Sequence, residues 1–477
     1  MNKKYILEYI ILSIIFILGL GVRLYKVNSP LADWHSWRQT DTASVSRIYV
    51  DEGINLLYPK YYDISRIQTG IINLKGLRYV EFPLFNVVHA LAAKNIPRIG
   101  FEAWGRLISI ASALTAAFFL YLIGKKLMGK WGGLLSAGFY LFIPYNIYFT
   151  RVILPEPLSV ALGVAALWFF ISFIDKEKTV NLLISGILLA LSTLVKPFTF
   201  FYAIPILYLA IKKYGIRNLF KIKKLLIFAN LAIDPFFIWR IWINQFPIGI
   251  PHFSWAFNGD GIRFRPAFWY WIFGERLGKL ILGDWGLIPL SFGILRPKKN
   301  YFTVLFFLSS LLYSFVIATA SVRHDYYQIF IIPSLVLLLA EGCIWLWNLP
   351  GVNKFLSRFL LLTSCFLLLI IGAFQVKEFY KINHPEIIEA GAAIDRIAPK
   401  DALVIAPYNG DTAFLYQTKR YGWPVVDESF DNMINKWGAD YFVAVNFADP
   451  DVKYVQDHFK ILEKTNTYLI ADLHQKI

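Results

Sequence analysis

The sequence predicts a polytopic α-helical membrane protein of about 11 spans that carries a small C-terminal extracytoplasmic α/β domain. Three observations predict this. Of the 477 residues, 57% are hydrophobic and only 17% are charged, with a mean hydropathy of +0.51, as in integral membrane proteins. Apolar runs near the roughly 20 residues needed to cross a bilayer recur through the first three quarters of the chain. Beyond residue 375 the runs shorten, and strand-like segments alternate with helix-like ones.

The formal charge of +16 does not point to nucleic acid, because the lysines and arginines sit in short clusters between apolar runs. Membrane topology accounts for them. Cys343 and Cys365 both lie inside apolar runs, which argues against a disulfide framework or a thiolate metal site. The N-terminal apolar run follows Lys3 and Lys4 without a small-residue cleavage site, so it is expected to stay as the first span.

Spans are expected at 5–22, 107–123, 131–149, 158–174, 180–195, 198–211, 225–243, 280–295, 301–320, 329–347 and 359–374. Strict alternation then places every short basic loop on one side, the cytoplasmic one. These loops hold Lys125, Lys126 and Lys130; Lys176 and Lys178; Lys212 to Lys224; Arg296, Lys298 and Lys299; and Lys354 and Arg358. Counting the short apolar run 82–93 as a span would invert all later loops, so it is expected to lie in the interface. The outer side receives the first long loop, 23–106, together with the tail. Residues 1–374 are thus expected as a membrane domain and 375–477 as a separate α/β domain. In the tail, 384–398, 412–418 and 432–437 read as helices and 402–406, 441–445 and 468–471 as strands. No glycine-rich phosphate loop accompanies those strands.

The chemistry concentrates at the expected outer face. Asp33-Trp34-His35-Ser36-Trp37-Arg38-Gln39-Thr40-Asp41-Thr42 is too polar for a lipid-facing helix. Asp41 there suits a general base acting on an acceptor hydroxyl or amine. The plain alternative is that Thr40 or Asp41 caps a helix over 42–50, and Asp33 competes as the reactive carboxylate. Glu81-Phe82-Pro83-Leu84 supplies a second carboxylate, which would equally suit the positive end of a helix. Glu156, between Pro155 and Pro157, suits holding a divalent cation or orienting a basic partner, although one short loop supplies few oxygen ligands for a metal, and the plain alternative is a carboxylate at the start of the next helix. Lys196 and the run Arg323-His324-Asp325-Tyr326-Tyr327 place cations against the positive-inside bias, as a phosphate held at the outer leaflet requires. Snorkelling to headgroups is the alternative for Lys196.

In their order, Trp37-Arg38-Gln39-Thr40-Asp41, Glu81-Phe82-Pro83-Leu84, Leu154-Pro155-Glu156-Pro157-Leu158, Lys196-Pro197 and His324-Asp325-Tyr326-Tyr327 resemble the GT-C superfamily of glycosyltransferases. The branch is that of protein O-mannosyltransferases and the lipid A aminoarabinose transferase. The resemblance implies an inner or cytoplasmic membrane enzyme that transfers a monosaccharide from a polyprenyl-phosphate donor with inversion. The family's catalytic acid of the first outer loop falls on Asp41. On the reading of the residues themselves, Glu81 joins it as a second catalytic carboxylate, and Arg38, Lys196, Arg323, His324 and Tyr327 are the candidate donor-phosphate ligands. The family's lysine-proline-proline-leucine element appears as Glu81-Phe82-Pro83-Leu84, without the lysine, so Lys196 or Arg323 would stand in for it. Expected partners are the lipid-linked sugar, an acceptor of open identity and the bilayer, with no nucleic acid. The competing reading is a transporter or flippase of a lipid-linked saccharide, since Asp234, Arg240, Asp284 and Glu341 fall inside expected spans.

Overall fold

The computed structural model describes residues 3–297 and 300–477; Lys298 and Lys299 of the expected basic loops lie outside the described residues. By internal contacts the chain forms two units. One comprises the N-terminal segment to Val27, Arg106–Arg240 and Phe253–Glu378; the other comprises Asn28–Gly105, Ile241–His252 and Phe379–Ile477.

The first unit is helical. Among the described residues five helices are long and apolar enough to cross a membrane: Ile6–Arg23, Phe101–Phe142, Glu156–Lys176, Lys223–Ile243 and Lys354–Tyr380. Thr179–Val195, Phe302–Val316 and Ile332–Trp347 are shorter apolar helices. A helix stands at every expected span, so the chain is a multi-pass membrane protein, but length and composition support fewer than the expected 11 crossings.

Three departures from regular helix have local causes. The spans expected at 107–123 and 131–149 share the Phe101–Phe142 stretch, and Gly129, at φ 77°, breaks it. Glycines let the two halves meet closely: a Cβ on Gly124 would lie 2.6 Å from the Gly132 carbonyl oxygen. The expected 198–211 span opens with a 3-10 turn, Pro197–Tyr202, and is separated from the helix Thr179–Val195 because Pro197 cannot donate the backbone hydrogen bond that would continue that helix. The 280–295 span is broken too. A π-helical stretch, Tyr270–Ile281, ends in left-handed Gly283 and Asp284, and Leu287–Leu295 follows. Asp284 therefore sits in a turn rather than in a helix.

The second unit is built on a five-stranded sheet. Its strands are β1 (Val404–Ile405), β2 (Gly422–Trp423), β3 (Tyr441–Ala444), β4 (Phe459–Lys464) and β5 (Leu469–Lys476), in the order β2-β1-β3-β5-β4. β1 pairs in parallel with β2 and β3, while β5 runs antiparallel to β3 and β4. The helices Glu386–Ile397, Thr412–Thr418 and Phe430–Asn435 lie close to their expected positions. The strands β2 and β4 were not anticipated. β2 has only two residues, too few to show alternation.

This unit is not continuous in sequence. Ile64, from the first long loop, is buried in the sheet's core beside Ile405, Trp423 and Phe442. Asp63 bridges in parallel to Gly422, with the Ile64 amide donating to the Gly422 carbonyl at 3.0 Å. Pairing at the β2 edge therefore recruits a segment more than 350 residues away, and residues 28–105 group with the tail.

Candidate functional site

In the loop-and-sheet unit the helix Ser36–Asp51 positions the polar decapeptide. It starts five residues before Asp41, after His35 in left-handed backbone at φ 55°. Asp41 is thus an interior helical residue, not the helix cap considered as the alternative. The helix is polar yet buried, and its hydroxyls turn back onto its own carbonyls: Thr42 to Arg38 at 3.0 Å and Ser44 to Thr40 at 2.7 Å. Asn86, on the helix Leu84–Asn95, donates to the Thr42 carbonyl at 2.7 Å and to the Ser46 hydroxyl at 3.1 Å. Every buried polar group so satisfied spares a desolvation cost of about 1–3 kcal/mol.

Asp41 is gripped from two sides. Its Oδ2 is 2.8 Å from Arg78 Nη2, and its Oδ1 accepts from Thr412 Oγ1 at 2.6 Å. Both members of the ion pair are buried. The Arg78 guanidinium lies 4.7 Å from the centroid of the Tyr61 ring, and its amide donates to the Pro59 carbonyl at 2.8 Å. Arg38 and Glu81 form a second, directly touching ion pair, also largely buried. A cavity of about 10 Å³, room for roughly one water, is lined by Thr42, Arg78, Glu81 and Asn86. Asp33 is buried and accepts from Gln39 Nε2 at 2.7 Å.

Two further carboxylates flank Asp41. Burial pushes Asp63 up to about 6, against the hydrogen bond it accepts from the Ser65 amide at 2.8 Å, and the charge of Asp41 adds to the rise. Burial likewise pushes Asp411 up to about 6, again reinforced by Asp41, although its carboxylate accepts from the Ala413 amide at 2.7 Å. Both groups are driven toward the neutral form by loss of water and by a like charge.

In the helical unit the expected phosphate ligands divide. Lys196 Nζ is 3.1 Å from Glu156, both buried, and 5.6 Å from the centre of the Tyr327 ring. Lys196 is therefore an interior group and does not snorkel to a headgroup. Arg323 is more than half exposed and turns to Asp260 at 3.2 Å. His324 packs against the rings of Trp255, Tyr326 and Tyr327, with centroids 5.5–6.0 Å apart. Glu156 thus faces an ammonium, which competes with any metal for the carboxylate. Among the described residues no group of three or more His, Cys, Asp or Glu is placed to hold a metal ion. The residues present do not fit a divalent cation at Glu156.

Sequence reasoning missed Arg78, Thr412, Asp63 and Asp411. Arg78 was open to the argument used for Lys196, being a cation in a loop expected outside. Thr412 had no such signal.

An apolar multi-helix unit and a unit joining the first long loop to a small sheet make up a fold that is shared with solved structures of glycosyltransferases. The resemblance seen in the motifs is met by this fold. Residues 87–242 match the family model described as dolichyl-phosphate-mannose-protein mannosyltransferase. The structure is similar to ArnT from Cupriavidus metallidurans bound to undecaprenyl phosphate, with a TM-score of 0.68 and 11% identity over 97% of this chain and 98% of that one. It is also similar to the Archaeoglobus fulgidus oligosaccharyltransferase, with a TM-score of 0.55 and 9% identity over 94% and 71% of the two chains. The mycobacterial arabinofuranosyltransferase AftD gives a TM-score of 0.57 and 11% identity, over 99% of this chain but 41% of that one. None of the curated proteins matches the sequence.

Proposed function

We propose that this protein is a membrane glycosyltransferase that moves a monosaccharide from a polyprenyl-phosphate donor to an acceptor hydroxyl or amine, with Asp41 as the base. The observation that carries the proposal is the placement of Asp41, buried on a polar helix with both oxygens held, by Arg78 and by Thr412. A base so oriented is ready for proton transfer without reorganisation. The acceptor's proton passes to Asp41 as its oxygen or nitrogen bonds to the anomeric carbon. The bond from that carbon to the phosphate oxygen breaks, and the lipid phosphate leaves with the electron pair. A single displacement inverts the anomeric centre.

Arg38 and Glu81 act as a pair in this reading. Glu81 orients the guanidinium and remains the second carboxylate available for catalysis. Lys196, with Tyr327 and His324, is the donor-phosphate set, and Arg323 contributes from the exposed side. When the phosphate arrives, Lys196 trades part of its contact with Glu156 for the phosphate oxygens. The ArnT structure bound to undecaprenyl phosphate supports a polyprenyl carrier here. The clustering of basic loops supports a cell-membrane protein whose reactive loop and tail face outward.

A transporter of the same lipid-linked saccharide is the second reading, favoured by the broken helix at Asp284 and by Glu341, which is buried and accepts from Thr303 at 3.0 Å. One assay separates them. Membranes containing the protein are given a radiolabelled sugar on a polyprenyl phosphate, with wild type compared to Asp41→Asn at equal expression. Transfer by wild type that is lost in the variant supports the enzyme and its base. Movement of the donor across the bilayer without transfer would sink the enzyme reading.

A further inference from the structure

The loop-and-sheet unit holds an open cleft of about 590 Å³, within the range of small-ligand sites. One wall is the short antiparallel ladder in which Lys60 pairs with Leu77; the other comes from the sheet, with Leu403, Tyr421 and Trp437. Successive residues of an extended chain point to opposite faces. Tyr58, Lys60 and Leu77 accordingly line the cleft, whereas Pro59 and Arg78 line the small cavity beside Glu81. The cleft and the Asp41–Arg78 pair thus lie on opposite sides of one ladder. Whatever occupies the cleft is not in contact with the proposed base.

The cleft is built rather than incidental. Glu52 accepts from Lys60 Nζ at 2.7 Å and from the Tyr421 hydroxyl at 2.6 Å, tying a loop side chain to a sheet side chain. Gly76 lies close beneath Tyr421: a Cβ there would fall 2.6 Å from the Tyr61 carbonyl oxygen and 2.9 Å from Tyr421 Cε1. Trp437 Nε1 donates to Glu428 at 3.2 Å, which orients the indole. Three aromatic rings surround the space, with the ammonium of the exposed Lys75 beside them and that of Lys60 held by Glu52. Ring faces suit the C–H face of a pyranose, and ammonium groups suit an anionic substituent.

We propose that this cleft binds a saccharide carrying an anionic group, phosphate or carboxylate, and anchors the acceptor at a distance from its reacting group. The anchoring role rests on the glycosyltransferase reading; the binding itself does not. The test is calorimetric titration of the full-length detergent-solubilised protein with a mannose oligosaccharide bearing a 6-phosphate, its dephosphorylated counterpart, a uronate-bearing oligosaccharide and inorganic phosphate. The two anionic sugars are expected to bind, the neutral one about tenfold more weakly, and Lys75→Glu to lose about tenfold in affinity for the anionic pair. Tyr58→Ala is expected to weaken all three sugars, and Asp41→Asn none. No binding by wild type, equal affinity of Lys75→Glu and wild type, or displacement of the probe by inorganic phosphate at equal concentration would each overturn the proposal. A protein that binds these probes yet transfers from no polyprenyl-phosphate donor retains the cleft and loses only its link to transfer.

Discussion

Asp41 and Glu156 are both buried carboxylates facing a buried cation, yet they are held very differently. Asp41 meets a guanidinium at 2.8 Å and a hydroxyl at 2.6 Å, from segments far apart in sequence. Glu156 meets the ammonium of Lys196 at 3.1 Å, from the next helical corner. A planar guanidinium offers fixed, directional donors, whereas an ammonium is a compact charge on a flexible stem. The first arrangement suits a group that must stay oriented through a reaction. The second suits a cation that exchanges one anion for another.

The largest expected effect breaks the Asp41 side of this comparison. Asp41→Asn should lower kcat by about 10²–10⁴-fold, the usual contribution of a positioned base, and, because it neutralises the partner of the buried Arg78 guanidinium, it should also lower the unfolding midpoint, so turnover is read per folded enzyme. Unchanged turnover would remove Asp41 from the chemistry. Next comes the Glu156 side: Lys196→Met removes the ammonium that faces the buried Glu156 carboxylate and should cost about 3–5 kcal/mol of stability. The double variant Lys196→Met with Glu156→Leu should recover most of the thermal midpoint but not transfer. Recovery of both would show that the pair has no role with the donor. Arg78→Lys keeps the charge and loses the fork, so we expect about a tenfold fall in kcat with little change in KM, read by steady-state transfer kinetics.

A smaller effect sharpens the comparison through pH. The folded-state values of Asp63 and Asp411 are raised to about 6, so the folded chain holds more protons than the unfolded chain between pH 4 and 6. Their contribution to stability is therefore greatest at about pH 4 and declines as pH rises to 6. Asp63→Asn should flatten this part of the unfolding midpoint's pH profile by roughly 2 kcal/mol over that interval. A profile identical to wild type would mean that Asp63 is not proton-linked. The smallest effect is expected at the exposed Arg323–Asp260 pair, where Arg323→Ala should change stability by at most about 1 kcal/mol. A larger rise in donor KM would assign Arg323 to the phosphate.

The helical architecture was legible because hydropathy is additive along the chain, and each expected span met a helix. Gly129 and the Gly283-Asp284 turn mark what the hydropathy runs hid, since an apolar stretch reads the same whether straight or broken. In the tail, Ala402–Ala406 and its neighbours carried enough apolar residues to be read as strands, but two-residue β2 did not. Of the site, the decapeptide, Glu81, Glu156 and Lys196 stood out as ionisable groups at the ends of apolar runs.

The amino-acid sequence by itself determined that this chain enters a membrane, along which apolar runs its helices lie, and which charged groups escape those runs. These follow from local composition, because the cost of burying a charge or an unpaired peptide group belongs to each residue and its near neighbours. Only the tertiary structure decided that Arg78 and Thr412 take the two oxygens of Asp41, that Ile64 completes the core of a sheet in the tail, and that Arg38 closes on Glu81. Those pairings join segments up to 371 residues apart. No local preference encodes them, since each arises when separate stretches bury their apolar faces together and the polar groups trapped among them must find one another.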